Sequence, residues 1–243
     1  MSGYRARLGF LIPPGNPTTE PEVIRLTPPG VSVHFTRMVA HGVTGSLDGQ
    51  EERNRTQIAH LDENVALLSM VNPSVIVLAH TATSYTLGRA GEQELIERVQ
   101  RSSGFRLITA FGSVIEALQR LGVQRIAVGT PYGEKATQQC KANLEAHGFE
   151  VVSIGRLAGV QNIYDETPQR AYGLARQVDA PEAQAVFLSG VGMPTIETLA
   201  MMEQDLGKPV ISSAAAMMWN ALRIAHVSAP VIGYGRLLAN PHL

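Results

Sequence analysis

The chain has 243 residues, 44% hydrophobic and 17% charged, with 20 basic against 21 acidic side chains and a single cysteine. Its apolar runs stay far below the ~20 residues of a membrane span, and a near-neutral balance without a Lys/Arg cluster gives no footprint for a phosphate backbone, so neither membrane nor nucleic acid is expected as a partner. The lone thiol, Cys140, excludes an internal disulfide, a four-cysteine zinc site and an iron–sulfur cluster; with an N-terminal stretch too poor in apolar residues for a secretory leader, a cytoplasmic protein is expected.

Short apolar runs bounded by Gly, Pro, Asn or Ser alternate with helical stretches along the chain. In order, strands are expected at Leu8–Ile12, Val31–Phe35 and Val75–Ala79, with a helix over Thr56–Met70 whose Ile58, Leu61, Val65 and Leu68 share one face. A strand at Leu107–Ala110 and a helix over Ser113–Leu121 follow, then a strand at Ile126–Gly129, a helix over Lys135–His147 and a strand at Val151–Ile154. The remainder reads as a helix over Thr167–Val178, a strand at Ala185–Leu188, a helix over Ile196–Asp205, a strand at Val210–Ile211 and a helix over Ala214–Ala225. Buried strands alternating with helices imply parallel sheets covered on both faces, the α/β class. The last helix, with Met217, Met218 and Trp219 adjacent, suits either the core or a dimer face, so a homo-oligomer stays open.

An internal repeat refines the organisation. Arg106 to Ala110 followed by Ile115 to Arg120 is similar to Pro209 to Ser213 followed by Trp219 to Arg223; Val75 to His80 pairs with Gln184 to Gly190, and Leu8 to Pro13 with Arg125 to Pro131. Three strand-plus-loop units in the same order imply two pseudo-symmetric lobes, one from residues 1–112 plus 213–243, the other from 113–212. Ligands of open α/β sheets bind beyond the C-terminal strand ends, so two facing lobes would pool those loops around one inter-lobe cleft. The loops concerned are Pro13 to Glu20, His80 to Tyr85, Thr130 to Gly133 and Ser189 to Thr195. Rich in hydroxyl, amide and glycine residues, they suit a small anion held by backbone N–H groups, hydroxyls and helix N-termini.

Ser189-Gly190-Val191-Gly192 opens like a dinucleotide loop, but Met193-Pro194-Thr195 stands where a third glycine belongs. No phosphate loop or nucleophile elbow is present, and no two of the seven histidines sit at metal-ligand spacing on one helix. His80 follows a fully apolar strand and is a candidate acid/base at neutral pH, the alternative being a ring that satisfies loop backbone groups. His60 and His147 read as solvated helix-surface residues. Tyr132, at a strand end, is either a ligand donor or a packing ring, and Asn16 and Asn162 are each a turn residue or a carboxylate donor. Cys140 reads as a surface or half-buried thiol on a helix, away from any strand end.

Taken together, the two-lobe repeat, the Pro13-Pro14-Gly15-Asn16-Pro17-Thr18-Thr19-Glu20-Pro21-Glu22 segment, Thr130-Pro131-Tyr132, the Ser189-to-Pro194 loop and Gly233-Tyr234-Gly235-Arg236-Leu237 resemble the aspartate/glutamate racemase superfamily. The similarity is to its branch of maleate cis-trans isomerases and arylmalonate decarboxylases, and it spans nearly the whole chain. It implies a fold of two Rossmann-like lobes and an enzyme of small carboxylates or dicarboxylates working without metal or organic cofactor. It also implies that Asn16, Tyr132 and Asn162 are similar to the isomerases' carboxylate-binding set, Thr81 and Ser84 to hydroxyls of the decarboxylases' oxyanion pocket, with Gly190, Val191 and Gly192 on the opposing substrate loop. The superfamily's racemases use two cysteines, one per lobe. Here His80 stands where the first is expected and Gly190 where the second is. The resemblance therefore points to decarboxylation or proton transfer with His80 as the single acid/base, Gly190 leaving room for a bulkier group or a water. Alternatives are hydrolysis or hydration by a water activated by His80, or a non-catalytic carboxylate binder.

Overall fold

The computed structural model describes residues 3–43, 47 and 49–243. Its first half runs β1 (Ala6–Ile12), α1 (Thr19–Arg25), β2 (Val31–Arg37), α2 (Gln50–Ala59), α3 (Leu61–Ser69), β3 (Val75–Leu78), α4 (Thr81–Ser103), β4 (Leu107–Thr109) and α5 (Ala110–Arg120). Its second runs β5 (Arg125–Thr130), α6 (Glu134–Ala146), β6 (Glu150–Arg156), a 3-10 turn at Ile163–Asp165, α7 (Pro168–Val178), β7 (Ala185–Leu188), α8 (Leu199–Leu206), β8 (Val210–Ser212), α9 (Ser213–Ile224) and α10 (Arg236–Ala239). The strands form two four-stranded parallel sheets of the same order, β2-β1-β3-β4 and β6-β5-β7-β8. Every expected strand lies in one of them.

The inner strands β3 (VIVL) and β7 (AVFL) are buried throughout, which is what helices on both faces of a parallel sheet demand of a sequence. At the outlet of each sheet the chain turns straight from the last strand into a helix. Thr109 and Ser212 make the same cap there, their hydroxyls accepting from the N–H groups of Gly112 and Ala215. These two helices, α5 and α9, pack on each other, while α5 reaches β8 and α9 reaches β3. Residues Ser213 to Leu222 of α9 are all buried, so the Met217-Met218-Trp219 stretch is core.

Three helical expectations change. The helix over Thr56–Met70 is two, because α2 ends and α3 begins around His60, whose φ of −99° and ψ of 11° break the run. The short α1, the body of α4 and the C-terminal α10 have no expected counterpart. His80 to Tyr85, expected as a loop, is the start of α4, with His80 as its N-cap. Thr81 to Tyr85 are buried on every side, so no alternation of apolar and polar faces betrays the helix in the sequence. Gly88, with φ 68° and ψ 174°, then kinks α4 and separates this first stretch from the rest.

Candidate functional site

The C-terminal ends of β1, β3, β5 and β7 face one cavity of about 230 Å3. Pro13 to Asn16 come from the end of β1, His80 from β3, Tyr132 from β5, and Val191 and Gly192 from β7, with Asn162, Ile163 and Tyr164 closing one side. Of the nine residues singled out in the sequence, six therefore line a common cavity: Asn16, His80, Tyr132, Asn162, Val191 and Gly192.

His80 is the one imidazole on this wall. Its Nδ1 lies 2.7 Å from Thr83 Oγ1, leaving Nε2 as the nitrogen available to a ligand. Part of the ring opens to the cavity, but the protein packed around it strips enough water that desolvation, and secondarily the Arg53 charge, lower its pKa to about 4. At neutral pH the imidazole is neutral. In the tautomer in which Nδ1–H donates to Thr83, Nε2 carries the lone pair and is a base.

The floor behind it is a buried hydroxyl network that crosses from one sheet to the other. Tyr85 Oη and Ser189 Oγ are 2.7 Å apart, Thr81 donates to Ser213 Oγ at 3.1 Å, and that same oxygen accepts the Gly190 N–H at 3.1 Å. The Tyr132 hydroxyl lies beside Ser189 and Thr81, and burial raises its pKa above the ordinary phenol value. Thr81 thus acts one bond behind the cavity. Ser84 sits further along α4, where its hydroxyl donates to the buried Glu92 carboxylate at 2.5 Å.

Gly190 does not open a space. Its φ is +100°, and a Cβ placed on it would sit 3.1 Å from the Tyr132 hydroxyl, 3.1 Å from Pro131 and 3.2 Å from Ile163. The Tyr132 hydroxyl already occupies the room a side chain at this strand end would take, so the expected pocket for a bulkier group or a water is filled. At Gly192 the Tyr164 ring lies 2.8 Å from where a Cβ would be, and the same ring lies 3.4 Å from that of Gly15. Tyr164 is wedged between a loop of each sheet.

The loop after β1 is a clasp across the halves. Asn16, fully buried, accepts the N–H groups of Thr18 and Thr19 on Oδ1 and donates through Nδ2 to Thr19 Oγ1 and, at 3.4 Å, to the Val191 carbonyl. Thr19 donates to the same carbonyl and Thr18 to that of Gly192. Glu22 accepts the Thr195 and Ile196 N–H groups at 2.7 and 3.0 Å. Its second oxygen has no partner, and burial pushes the carboxyl up to about 7. Asn162 holds its own turn, accepting from the Tyr164 N–H at 3.2 Å.

Several features were not foreseen. The α2 wall of the cavity, Gln50, Arg53, Asn54 and Gln57, lies in a segment without apolar periodicity; its signal is the i, i+3, i+4, i+7 spacing of long polar side chains. Cys140 is fully buried and within hydrogen-bond reach of Tyr85, and burial pushes its thiol up to about 12. It thus stands close behind the cleft floor, as a protonated and unreactive group. His147 is half-buried and edge-on to Phe111, its pKa lowered chiefly by desolvation, because α6 ends against α5. Among the described residues, no group of three His, Cys, Asp or Glu side chains is arranged to hold a metal ion. None of the described helices is long and apolar enough to cross a membrane.

The profile of the arylmalonate decarboxylase family matches residues 8–238. A maleate isomerase of Nocardia farcinica (strain IFM 10152) is 30% identical over 249 residues, covering 96% of this chain and 95% of that protein. An arylmalonate decarboxylase of Bordetella bronchiseptica is 30% identical over 173 residues, 68% of this chain and 70% of that one. A solved structure of a mutant maleate cis-trans isomerase from Nocardia farcinica, with a covalently bound succinylcysteine intermediate, matches at a TM-score of 0.86 and 26% identity over 96% of this chain and 98% of that one.

Proposed function

The chain belongs to the arylmalonate decarboxylase family, and on that premise we propose that it is an isomerase- or decarboxylase-type enzyme of small carboxylates in which His80 alone moves the proton. The observation that carries this reading is the neutral imidazole at the end of β3, with Nδ1 anchored on Thr83 and Nε2 left to the cavity. Thiol chemistry has no candidate group here, since Cys140 is buried and protonated.

A carboxylate enters with its oxygens toward the Tyr132 hydroxyl and the Asn162 amide. Nε2 takes the proton from the carbon next to that carboxylate, and the C–H electron pair moves into an enediolate. The Tyr132 hydroxyl donates to the developing oxyanion from a buried position, where such a donor is worth most. The imidazolium then returns the proton to carbon. In a decarboxylation the enediolate forms instead by breaking the bond to a second carboxylate, which leaves as carbon dioxide, and the proton that completes the product comes from solvent, taken up by Nε2 before it is passed to carbon. Every group needed is a side chain of this chain, so no cofactor enters the step. The Asn16 amide is consumed by the clasp and sets the shape of the loop, in place of the direct carboxylate contact that the resemblance implied.

Solvent exchange tests the reading. In deuterium oxide the wild-type protein should exchange the carbon-bound proton of a small carboxylate, followed by NMR, and His80→Gln should still bind that ligand without exchanging it. A wild-type protein that binds small mono- and dicarboxylates but neither exchanges nor decarboxylates them is a carboxylate binder and overturns the proposal, as does an unchanged exchange rate in His80→Gln.

A further inference from the structure

Along the body of α4 the buried positions are Glu92, Leu95 and Val99, the i, i+3, i+7 spacing of a helix face laid on a core. Leu95 and Val99 belong to a cluster with Ile76, Leu78 and Leu107. The first position of that face is a carboxyl, only 5% exposed, and burial raises its pKa. An apolar side chain would serve packing there at least as well, so the acid has another use. Its Oε1 collects two hydroxyls. Ser84 Oγ and Thr109 Oγ1 each donate to it at 2.5 Å, and Thr109 Oγ1 in turn accepts the Gly112 N–H in the first turn of α5. Two hydroxyls that meet at one point both need an acceptor, which a carboxyl oxygen supplies.

Ser84 stands before the Gly88 break in α4 and Glu92 after it. Residues Thr81 to Leu87 make less than two turns of helix, too few to hold their shape alone, and the backbone angles at Gly88 interrupt the ladder that would tie them to the rest. The Glu92 side chain spans that interruption and fastens the first stretch to the end of β4. That stretch carries the support of His80. The His80 carbonyl accepts the Thr83 N–H at 3.3 Å, and Thr83 Oγ1 lies 2.7 Å from Nδ1; Ser84 is the next residue. Thr81 and Tyr85 also reach out from this turn, but their partners Ser213 and Ser189 follow strands of the second sheet. The Glu92 bond ties the turn to its own sheet.

We propose that Glu92 is a positioning residue for the chemistry of His80: through Ser84 it holds the opening turn of α4 across the Gly88 break, and so sets the direction in which Nε2 points into the cavity. This rests on the reading of His80 as the acid/base. Glu92 itself touches no substrate. Its effect passes through Ser84 and the adjoining Thr83 to the ring, and it depends on an acceptor oxygen at this point, which glutamine keeps and leucine lacks.

The test reads the ring and the turnover separately. In Glu92→Leu and in Ser84→Ala, the NMR titration of His80 should move to higher pH, because a loosened turn admits water to the imidazole. Exchange of the carbon-bound proton at saturating carboxylate should fall by about 10–100-fold, with affinity little changed because Tyr132 and Asn162 belong to the second half. Ser84→Ala leaves the Thr109 bond and the α5 cap in place, so it decides the matter even where Glu92→Leu does not fold. Glu92→Gln should behave as wild type in both readouts, a rescue that a charge-dependent role would not show. Folded Ser84→Ala protein with the wild-type titration and exchange rate overturns the assignment of Glu92, as does Glu92→Gln protein as impaired as Ser84→Ala. Absence of exchange in the wild type overturns the acid/base reading instead, and the His80 titration alone then decides whether Glu92 fastens the ring.

Discussion

The two sheets share a strand order and the same hydroxyl-capped helix at their outlet, yet the ends of their paired inner strands do different work. After β3 stands His80, an imidazole at the start of a helix. After β7 stands Gly190, whose backbone takes a φ of +100°, with the Tyr132 hydroxyl lying over it. The first half contributes the imidazole proposed as acid/base and the Arg53 cation, and the second contributes a phenol, an amide and loop backbone. Repetition of the scaffold thus fixes where chemistry can happen, and the residues just past each strand decide what it is.

The comparison breaks most sharply at His80. His80→Gln should lower turnover by about 10²–10⁴-fold with little change in ligand affinity. With the neutral ring as the proposed base, kcat/KM for proton abstraction should stay level on the alkaline side and fall as pH drops through about 4. A profile that instead rises toward low pH would make the imidazolium the working form of the free protein.

Next in size is the clasp between the halves. The folded-state pKa of Glu22 is raised from 4.5 to about 7, so the folded protein holds a proton there that the unfolded chain has already lost. Its contribution to stability is complete below about pH 4.5 and is lost as pH rises through about 7. The change amounts to at most about 3 kcal/mol. Denaturant midpoints measured from pH 5 to 8 should fall in the wild type and stay flatter in Glu22→Gln, which keeps the acceptor and loses the charge. Parallel curves for the two proteins would remove Glu22 from the inter-sheet contact.

Gly190→Ala should cost about 2 kcal/mol, because the left-handed backbone and the crowding by Tyr132 and Pro131 both oppose a side chain. An unchanged urea midpoint would mean that the loop relaxes freely. By the same geometry, Gly190→Cys should not yield a symmetric site. The smallest expected effect is that of Tyr132→Phe, about tenfold in carboxylate affinity with folding intact; equal affinity would take the phenol out of the binding set.

What could be read from the sequence follows from what each pattern encodes. Buried parallel strands are continuous apolar runs, and the half-buried β2 and β6 still carry short apolar stretches, so all eight were visible, and the strand-end rule then placed His80, Tyr132 and Gly192 at one cavity. Helix α4 was missed whole, its first turn because burial on all sides removes the contrast that marks a helix. Arg53, Asn54 and Gln57 were missed because a polar helix face reads as solvated, and only the tertiary fold lays it over a cavity. Glu22 and Cys140 were missed for a related reason: nothing local in the sequence shows that a carboxyl is buried under a loop from the other half, or that a thiol faces Tyr85. Gly190 was found, but its backbone angle and the hydroxyl above it are properties of the packed loop.

The clasp has a consequence for how the molecule is made. The Asn16, Thr18, Thr19 and Glu22 side chains find their partners at Val191, Gly192, Thr195 and Ile196, 172 to 175 residues later in the chain. During synthesis the N-terminal part emerges first, and its strands can pair long before those partners leave the ribosome. The loop that carries Asn16 is therefore among the earliest segments synthesised and among the last to be completed, and the cavity it walls comes into being only when nearly the whole polypeptide is present.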